Sequence, residues 1–214
     1  MHEPLPSQPI ETLLSSRPDV WRGRQRPTGP VLSSGRAELD AWLPAGGWPS
    51  GRLIELLPAH FGLGELTLVL PLIAHQTSQG MPVILAGPPL VPCPQHLARS
   101  GVALDRLVVV RKSDQAFWAA EQSLKSGLCG AVILWPPSSS PPARAVRRLQ
   151  LAAENGQAPV FVCYRPGQQP PPSLAALRLA IHPGPELVVL RGQSDSSRLH
   201  LGRGNVVQLR PRPA

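Results

Sequence analysis

The sequence predicts an α/β protein with a mostly parallel central sheet, and two observations support that prediction. Five short runs are apolar without interruption, as in strands that are covered on both faces. Segments with the apolar spacing of helices separate these runs, and such alternation of strand and helix is typical of a parallel sheet. The five runs are Leu53 to Leu57, Val83 to Ala86, Leu107 to Val110, Ala131 to Leu134 and Val160 to Cys163.

Five helices are expected around these strands. The fourth has the clearest pattern, because Phe117, Ala120 and Leu124 recur on one face that should pack on the sheet. In the second helix, Pro71 should introduce a kink or shorten the helix. The expected helices are Ala37 to Leu43, Gly64 to Ser78, Pro94 to Ser100, Asp114 to Ser126 and Ala143 to Asn155.

The two ends of the chain differ from this alternating pattern. Residues 1–30 alternate proline, serine and arginine around one short apolar stretch, which predicts an N-terminal arm that is partly disordered or helical. At the other end, three apolar runs are spaced like antiparallel strands at the edge of the sheet. These runs are Leu177 to Ile181, Leu187 to Leu190 and Val206 to Leu209.

Composition excludes several classes of protein. The 28 prolines and 19 glycines show no period of three, which excludes collagen, and proline interrupts nearly every segment, which excludes a coiled coil. The first residues contain no basic segment followed by an apolar one, and no apolar run approaches the length of a membrane span. Neither a signal peptide nor a membrane anchor is expected, and the cytoplasm is the expected location.

The net charge of +8 raises the question of nucleic-acid binding. Lysine occurs only at positions 112 and 125, so arginine supplies nearly all of the positive charge, and a biased Arg-rich composition is an equally open explanation. The outward face of the fifth helix carries Arg144, Arg147 and Arg148, which are the candidate DNA-binding residues. The alternative is that they form a solvated basic face.

The segment between the first strand and the second helix has the layout of a phosphate-binding loop without its chemistry. Such a loop reads GxxxxGK[ST], where backbone amides cradle phosphates, the lysine meets their charge and the hydroxyl holds Mg²⁺. The corresponding residues here are Ala59, Gly64, Glu65 and Leu66. A carboxylate at the lysine position would repel phosphates, so a degenerate site and no bound cofactor are expected.

Other catalytic patterns are also missing from the sequence. A nucleotide hydrolase of this class ends a neighbouring strand with an Asp that orders Mg²⁺, whereas the run Ala131 to Leu134 ends in Trp135. No two of the six histidines have metal-ligand spacing, and no GxSxG nucleophile motif occurs. The sequence therefore predicts no catalytic residue, no metal site and no enzymatic activity.

The fourth helix offers a candidate binding surface instead. Trp118 is expected on its polar face together with Glu121 and Lys125, which are spaced as an i, i+4 ion pair. Because an exposed tryptophan is a frequent binding anchor, these three are the candidate partner-binding residues. Two alternatives stay open: Trp118 could pack against the N-terminal arm, and the charged pair could be a solvated helix face.

A family resemblance covers much of the chain. Val31 to Leu56, with the string Gly47-Trp48-Pro49-Ser50-Gly51, resembles the start of the RecA ATPase core, and similarity to RecA continues through the segments 88–110, 114–135 and 144–162. Among RecA relatives the chain resembles the bacterial ImuA family, SulA-like RecA homologues that are encoded with error-prone polymerase components. The motifs of that family occur at Gly47 to Gly51, Glu65-Leu66, Pro88-Pro89, Trp118 to Val132 and Arg147 to Glu154.

The resemblance implies a RecA-like core over residues 31–191 with a degenerate nucleotide site, followed by a C-terminal strand and tail over 192–214. The strand Ile84 to Gly87 lacks the carboxylate that activates water in RecA. Segments 136–142 and 166–173 correspond to the RecA loops that hold single-stranded DNA, and both are short and rich in proline.

The function implied by the resemblance is that of a non-catalytic accessory protein, or scaffold, of SOS-induced translesion DNA synthesis. Its expected partner is an ImuB-like homologue of the Y-family polymerases within the mutasome, with RecA as a second candidate partner. A SulA-like inhibitor of cell division is one alternative. Direct DNA binding through the arginines of the fifth helix is another, and no membrane partner is expected.

Overall fold

The computed structural model describes residues 30–137, 141–184, 186–192 and 198–201. The strands are β1 (Val31–Leu32), β2 (Trp48–Pro49), β3 (Leu53–Pro58), β4 (Val83–Ala86), β5 (Leu107–Val110), β6 (Ala131–Leu134), β7 (Val160–Cys163), β8 (Leu177–His182), β9 (Glu186–Arg191) and β10 (Arg198–His200). The helices are α1 (Ala37–Trp42), α2 (Glu65–Ser78), α3 (Pro94–Arg99), α4 (Ala116–Lys125) and α5 (Ala143–Gly156).

The predicted fold class is confirmed. Eight strands form one sheet in the order β10-β9-β8-β3-β7-β6-β4-β5, and the pairs from β8 across to β5 are all parallel. The remaining two pairs, β8 with β9 and β9 with β10, are antiparallel. The five strands expected in the parallel part are all present, and four of them have the predicted bounds.

The C-terminal strands differ from expectation in one respect. The run Leu177 to Ile181 was expected to be antiparallel at the edge, but β8 runs parallel to β3, and only the pairs β8 with β9 and β9 with β10 are antiparallel. The cause is the proline-rich loop after β7, which carries the chain back to the starting end of the sheet before β8 begins. The expected run Val206 to Leu209 and the arm over residues 1–29 lie outside the described residues.

Helices cover both faces of the sheet. One face is packed by α1, α2 and α3, whose apolar residues share a core with Ile54 and Leu56 of β3. The other face is packed by α4 and α5, which share a second core with Leu53. Alternate residues of β3 therefore point to opposite cores, as strand geometry requires. In the described part of the chain, no helix is both long and apolar enough to cross a membrane.

One local expectation for the helices is corrected and another is confirmed. Pro71 does not shorten α2, which continues to Ser78. The buried apolar residues of this helix, among them Val69 and Ile73, offset the hydrogen bond that proline cannot make. In α4 the predicted inward face is confirmed, because Ala120 and Leu124 are buried and Phe117 is half-buried against the same core.

The Gly47 to Gly51 motif has a structural role. Strand β2 pairs with β1 in a two-stranded ribbon, and a side chain at Gly47 would lie 2.6 Å from the carbonyl oxygen of Leu32. The ribbon places Trp48 in the core, where its ring meets that of Phe161 edge-on at a centroid distance of 5.1 Å. The resemblance at this motif therefore reflects the packing of Trp48 against β7.

Candidate functional site

The degenerate phosphate loop lies where the sequence predicts it, between the end of β3 and the start of α2. Ala59 to Gly62 are exposed, and Gly64 precedes the helix with a φ of 90°. Glu65 is the first residue of α2, and its Oε2 atom is buried without a hydrogen-bond partner among the described residues. Burial raises the pKa of the Cys163 thiol well above its usual range, and the negative charge of Glu65 adds to this effect. One oxygen of the Glu65 carboxylate is thus turned away from solvent.

Neighbouring positions of this site belong to the hydrophobic core. Leu66 occupies the position of the Mg²⁺-binding hydroxyl, and it packs against the hydrophobic core that α2 shares with the sheet. Trp135 directly follows β6 and is 4% exposed, and its backbone N–H donates to the carbonyl of Ala86 at 2.9 Å. The place where a nucleotide hydrolase would hold an acidic residue is therefore filled by packed apolar side chains.

A buried polar cluster that the sequence analysis missed centres on Glu55 in β3. Glu55 is completely buried, and its Oε2 accepts a hydrogen bond of 2.6 Å from the guanidinium of Arg178 in β8. Its Oε1 accepts hydrogen bonds from Ser173 Oγ at 2.9 Å and from the Tyr164 hydroxyl at 3.3 Å. Burial raises the pKa of Tyr164, and the adjacent Glu55 charge raises it further, so the phenol stays protonated and donates.

The Glu55 cluster holds the loop over residues 165–176 against the sheet. Besides the Ser173 contact, Gln168 accepts a hydrogen bond from the backbone of Arg165 and donates one to the carbonyl of Pro137. These contacts tie the loop to the sheet and to residue 137. The sequence signal was a single carboxylate inside the apolar run Leu53 to Leu57. Its partners lie more than 100 positions away, so the run alone could not identify them.

The prediction that Glu121 lies on a solvated face of α4 is wrong. Its side chain is only 7% exposed, because Arg148 of α5 lies against it and forms a two-point ion pair. Lys125 Nζ is a second partner at 2.7 Å. Burial by itself would raise the pKa of Glu121, but hydrogen bonds and charges from these two cations outweigh it and lower the pKa. Glu121 therefore joins α4 to α5.

The ion pair between Glu121 and Arg148 changes which residues remain candidates for binding. Trp118 is 64% exposed and Lys125 is exposed, so these two of the three partner-binding candidates face solvent. All three arginines proposed for DNA contact are exposed, but Arg148 is paired with Glu121, which leaves Arg144 and Arg147. Neither of these two forms an ion pair within the part of the chain that the structure describes.

Comparisons with known proteins give partial similarity. No family model matches the chain. Over 106 residues, 49% of this chain, it is 32% identical to RecA of Francisella tularensis subsp. novicida, and the same values hold for RecA of the subspecies tularensis and holarctica. The match spans 29% of the length of these relatives. A solved structure, SulA from Pseudomonas aeruginosa, is 22% identical, with a TM-score of 0.42 over 52% of this chain and 96% of that chain.

Proposed function

We propose that this protein is a non-catalytic accessory protein of SOS-induced translesion DNA synthesis, and that it acts through contacts with an ImuB-like homologue of the Y-family polymerases and with RecA. The RecA-like stretch of sequence supports the general setting of DNA damage. The single observation that carries the non-catalytic assignment is the carboxylate of Glu65 at the start of α2.

The position of Glu65 is unfavourable to phosphate binding. Phosphate-binding loops present backbone N–H groups and a lysine to the anion at a helix N-terminus. Here the residue at that terminus is acidic and repels an anion, while it interacts favourably with the positive end of the helix dipole. The protein would thus keep a RecA-type scaffold without the nucleotide motor.

We expect the melting temperature to stay unchanged when ATP and Mg²⁺ are added. A ligand that binds only the folded state raises the melting temperature, by an amount that grows with its concentration above Kd. The measurement is a thermal melt with and without about 5 mM nucleotide, a concentration above the usual KM range of about 1 μM to 1 mM. An ATPase with an intact GxxxxGK[ST] loop serves as the positive control. A rise in melting temperature that depends on ATP would contradict the expectation that the degenerate site binds no nucleotide.

Trp118→Ala is expected to weaken co-purification with the ImuB-like partner by tenfold or more. A largely exposed tryptophan contributes little to folding, and buried tryptophans at interfaces contribute about 2 kcal/mol or more to binding. The measurement is recovery of the tagged partner from cells in which both proteins are expressed, at low salt. Phe61→Ala is the matched control, because Phe61 is a similarly exposed aromatic residue, 67% against 64%.

Other results would favour the alternatives. Failure of the wild-type chain to co-purify with the partner at low salt would contradict the proposal. Filamentation of cells that overexpress the chain would favour a SulA-like division inhibitor. A salt-sensitive shift of single-stranded DNA that Arg144→Glu abolishes would favour the DNA-binding alternative.

A further inference from the structure

A groove runs along α5 on the face of the sheet opposite to α2. It consists of two adjoining cavities of about 590 and 500 Å³, which share Arg147, Gln150 and Leu174 in their walls. We call this feature the α5 groove. It lies between α5, the β1–β2 ribbon and the chain that leads into β8, and the degenerate phosphate loop contributes no residue to either cavity. The lining residues used below are Val31, Arg52, Arg147, Leu151, Leu174 and Arg191.

Positive charge predominates in the α5 groove. Three arginines line the larger cavity and Arg144 lines the smaller one. The one carboxylate among the lining residues is Glu154, which is already paired with Arg52 at 3.0 Å. Among the described residues, Arg144 and Arg147 form no ion pair. The groove therefore presents guanidinium groups with unused donors, which suit carboxylates in two-point hydrogen bonds.

Apolar side chains accompany these arginines. Leu174 is 56% exposed, Leu151 is 44% exposed and Val31 is 41% exposed, although all three line the same groove. A leucine or phenylalanine of a partner would cover them, and burial of such apolar surface stabilises a complex. From Arg144 to Gly156, α5 extends about 18 Å at about 1.5 Å per residue. That distance accommodates about six residues of extended peptide.

We propose that the α5 groove binds an acidic segment of a partner protein that carries one or two apolar side chains among its carboxylates. Nucleic acid fits less well, because no aromatic side chain lines the groove for base stacking among the residues that the structure describes. The chain's own residues 1–29 also fit less well, since they contain four arginines against three acidic residues. This inference goes beyond the proposed function, because it depends only on the charge and apolar surface of the groove.

Fluorescence anisotropy with a labelled octapeptide of six Glu and two Leu tests the proposal. We expect the wild-type chain to bind it, and Arg147→Glu to weaken binding at least tenfold, because a charge reversal at the centre of the groove repels the peptide. Arg99→Glu, the same change at an exposed site on α3, is the matched control and should leave binding unchanged. Leu174→Ser should weaken binding, as should replacing both peptide leucines with serine. Unchanged melting temperatures would verify that the variants are folded.

Three results would overturn the proposal. The first is equal binding by the Arg147→Glu and Arg99→Glu variants, which would mean that the peptide binds elsewhere. The second is equal affinity for the serine peptide, which would exclude an apolar contribution. The third is an eight-nucleotide oligo-dT that binds more tightly than the peptide and depends on Arg147, which would identify a nucleic-acid site. None of these results bears on the Trp118 co-purification, so the two proposals can fail separately.

Discussion

Replacement of Glu55 by Ala is expected to lower the free energy of unfolding by about 3 to 5 kcal/mol. Removal of one partner from a buried ion pair has this effect, because the other charge stays without compensation. Here the remaining group is Arg178, whose side chain is 22% exposed, and Ser173 and Tyr164 lose an acceptor as well. Urea denaturation followed by circular dichroism measures the change.

Two further variants make the Glu55 prediction specific. Glu154→Ala removes the exposed pair with Arg52, whose side chains are 32% and 44% exposed, and it should cost less than about 1 kcal/mol. The double variant Glu55→Leu with Arg178→Met should regain the part of the loss that comes from the unpaired charge, because apolar residues of similar volume often replace a buried ion pair without penalty. The part that comes from Ser173 and Tyr164 should remain, since leucine offers their hydroxyls no acceptor. If the Glu55→Ala variant were no less stable than the Glu154→Ala variant, the role of Glu55 as a buried structural anchor would be disproved.

Trp48→Ala should destabilise the fold by a comparable amount, about 3 to 5 kcal/mol. This is the usual cost of truncating a fully buried aromatic residue, because both the transfer free energy and the filled volume are lost. Trp48 is 0% exposed, and its edge-on contact with Phe161 connects the β1–β2 ribbon to the central sheet. Denaturant titration of the purified variant gives the loss in the free energy of unfolding.

Trp118→Ala is the natural comparison for Trp48→Ala, since it makes the same substitution at a residue that is 64% exposed. It should change the free energy of unfolding by no more than about 0.5 kcal/mol. Similar losses at the two positions would mean that Trp118 is buried in solution, and that it is not available as a binding anchor.

The elements of the sheet could be predicted because each depends on a short local pattern. A run such as Val83 to Ala86 is apolar throughout, and only a strand covered on both faces accommodates that run between turn residues. The position of the degenerate phosphate loop could be predicted for the same reason, since this loop joins one such strand to a helix. The β1–β2 ribbon was missed, because strands of two residues are too short to show any period.

The environment of the charged residues required the tertiary structure. Helical spacing correctly identified the inward face of α4, but it could not show that Arg148, 27 positions later, would cover Glu121. Likewise, Glu55 became a structural anchor only because β8 returned parallel to β3 and brought Arg178 to its side. The amino-acid sequence thus specifies which apolar runs are buried, since each run is a local pattern. Which charges meet one another depends on how distant elements pack, and this packing decided which arginines remain available for a partner.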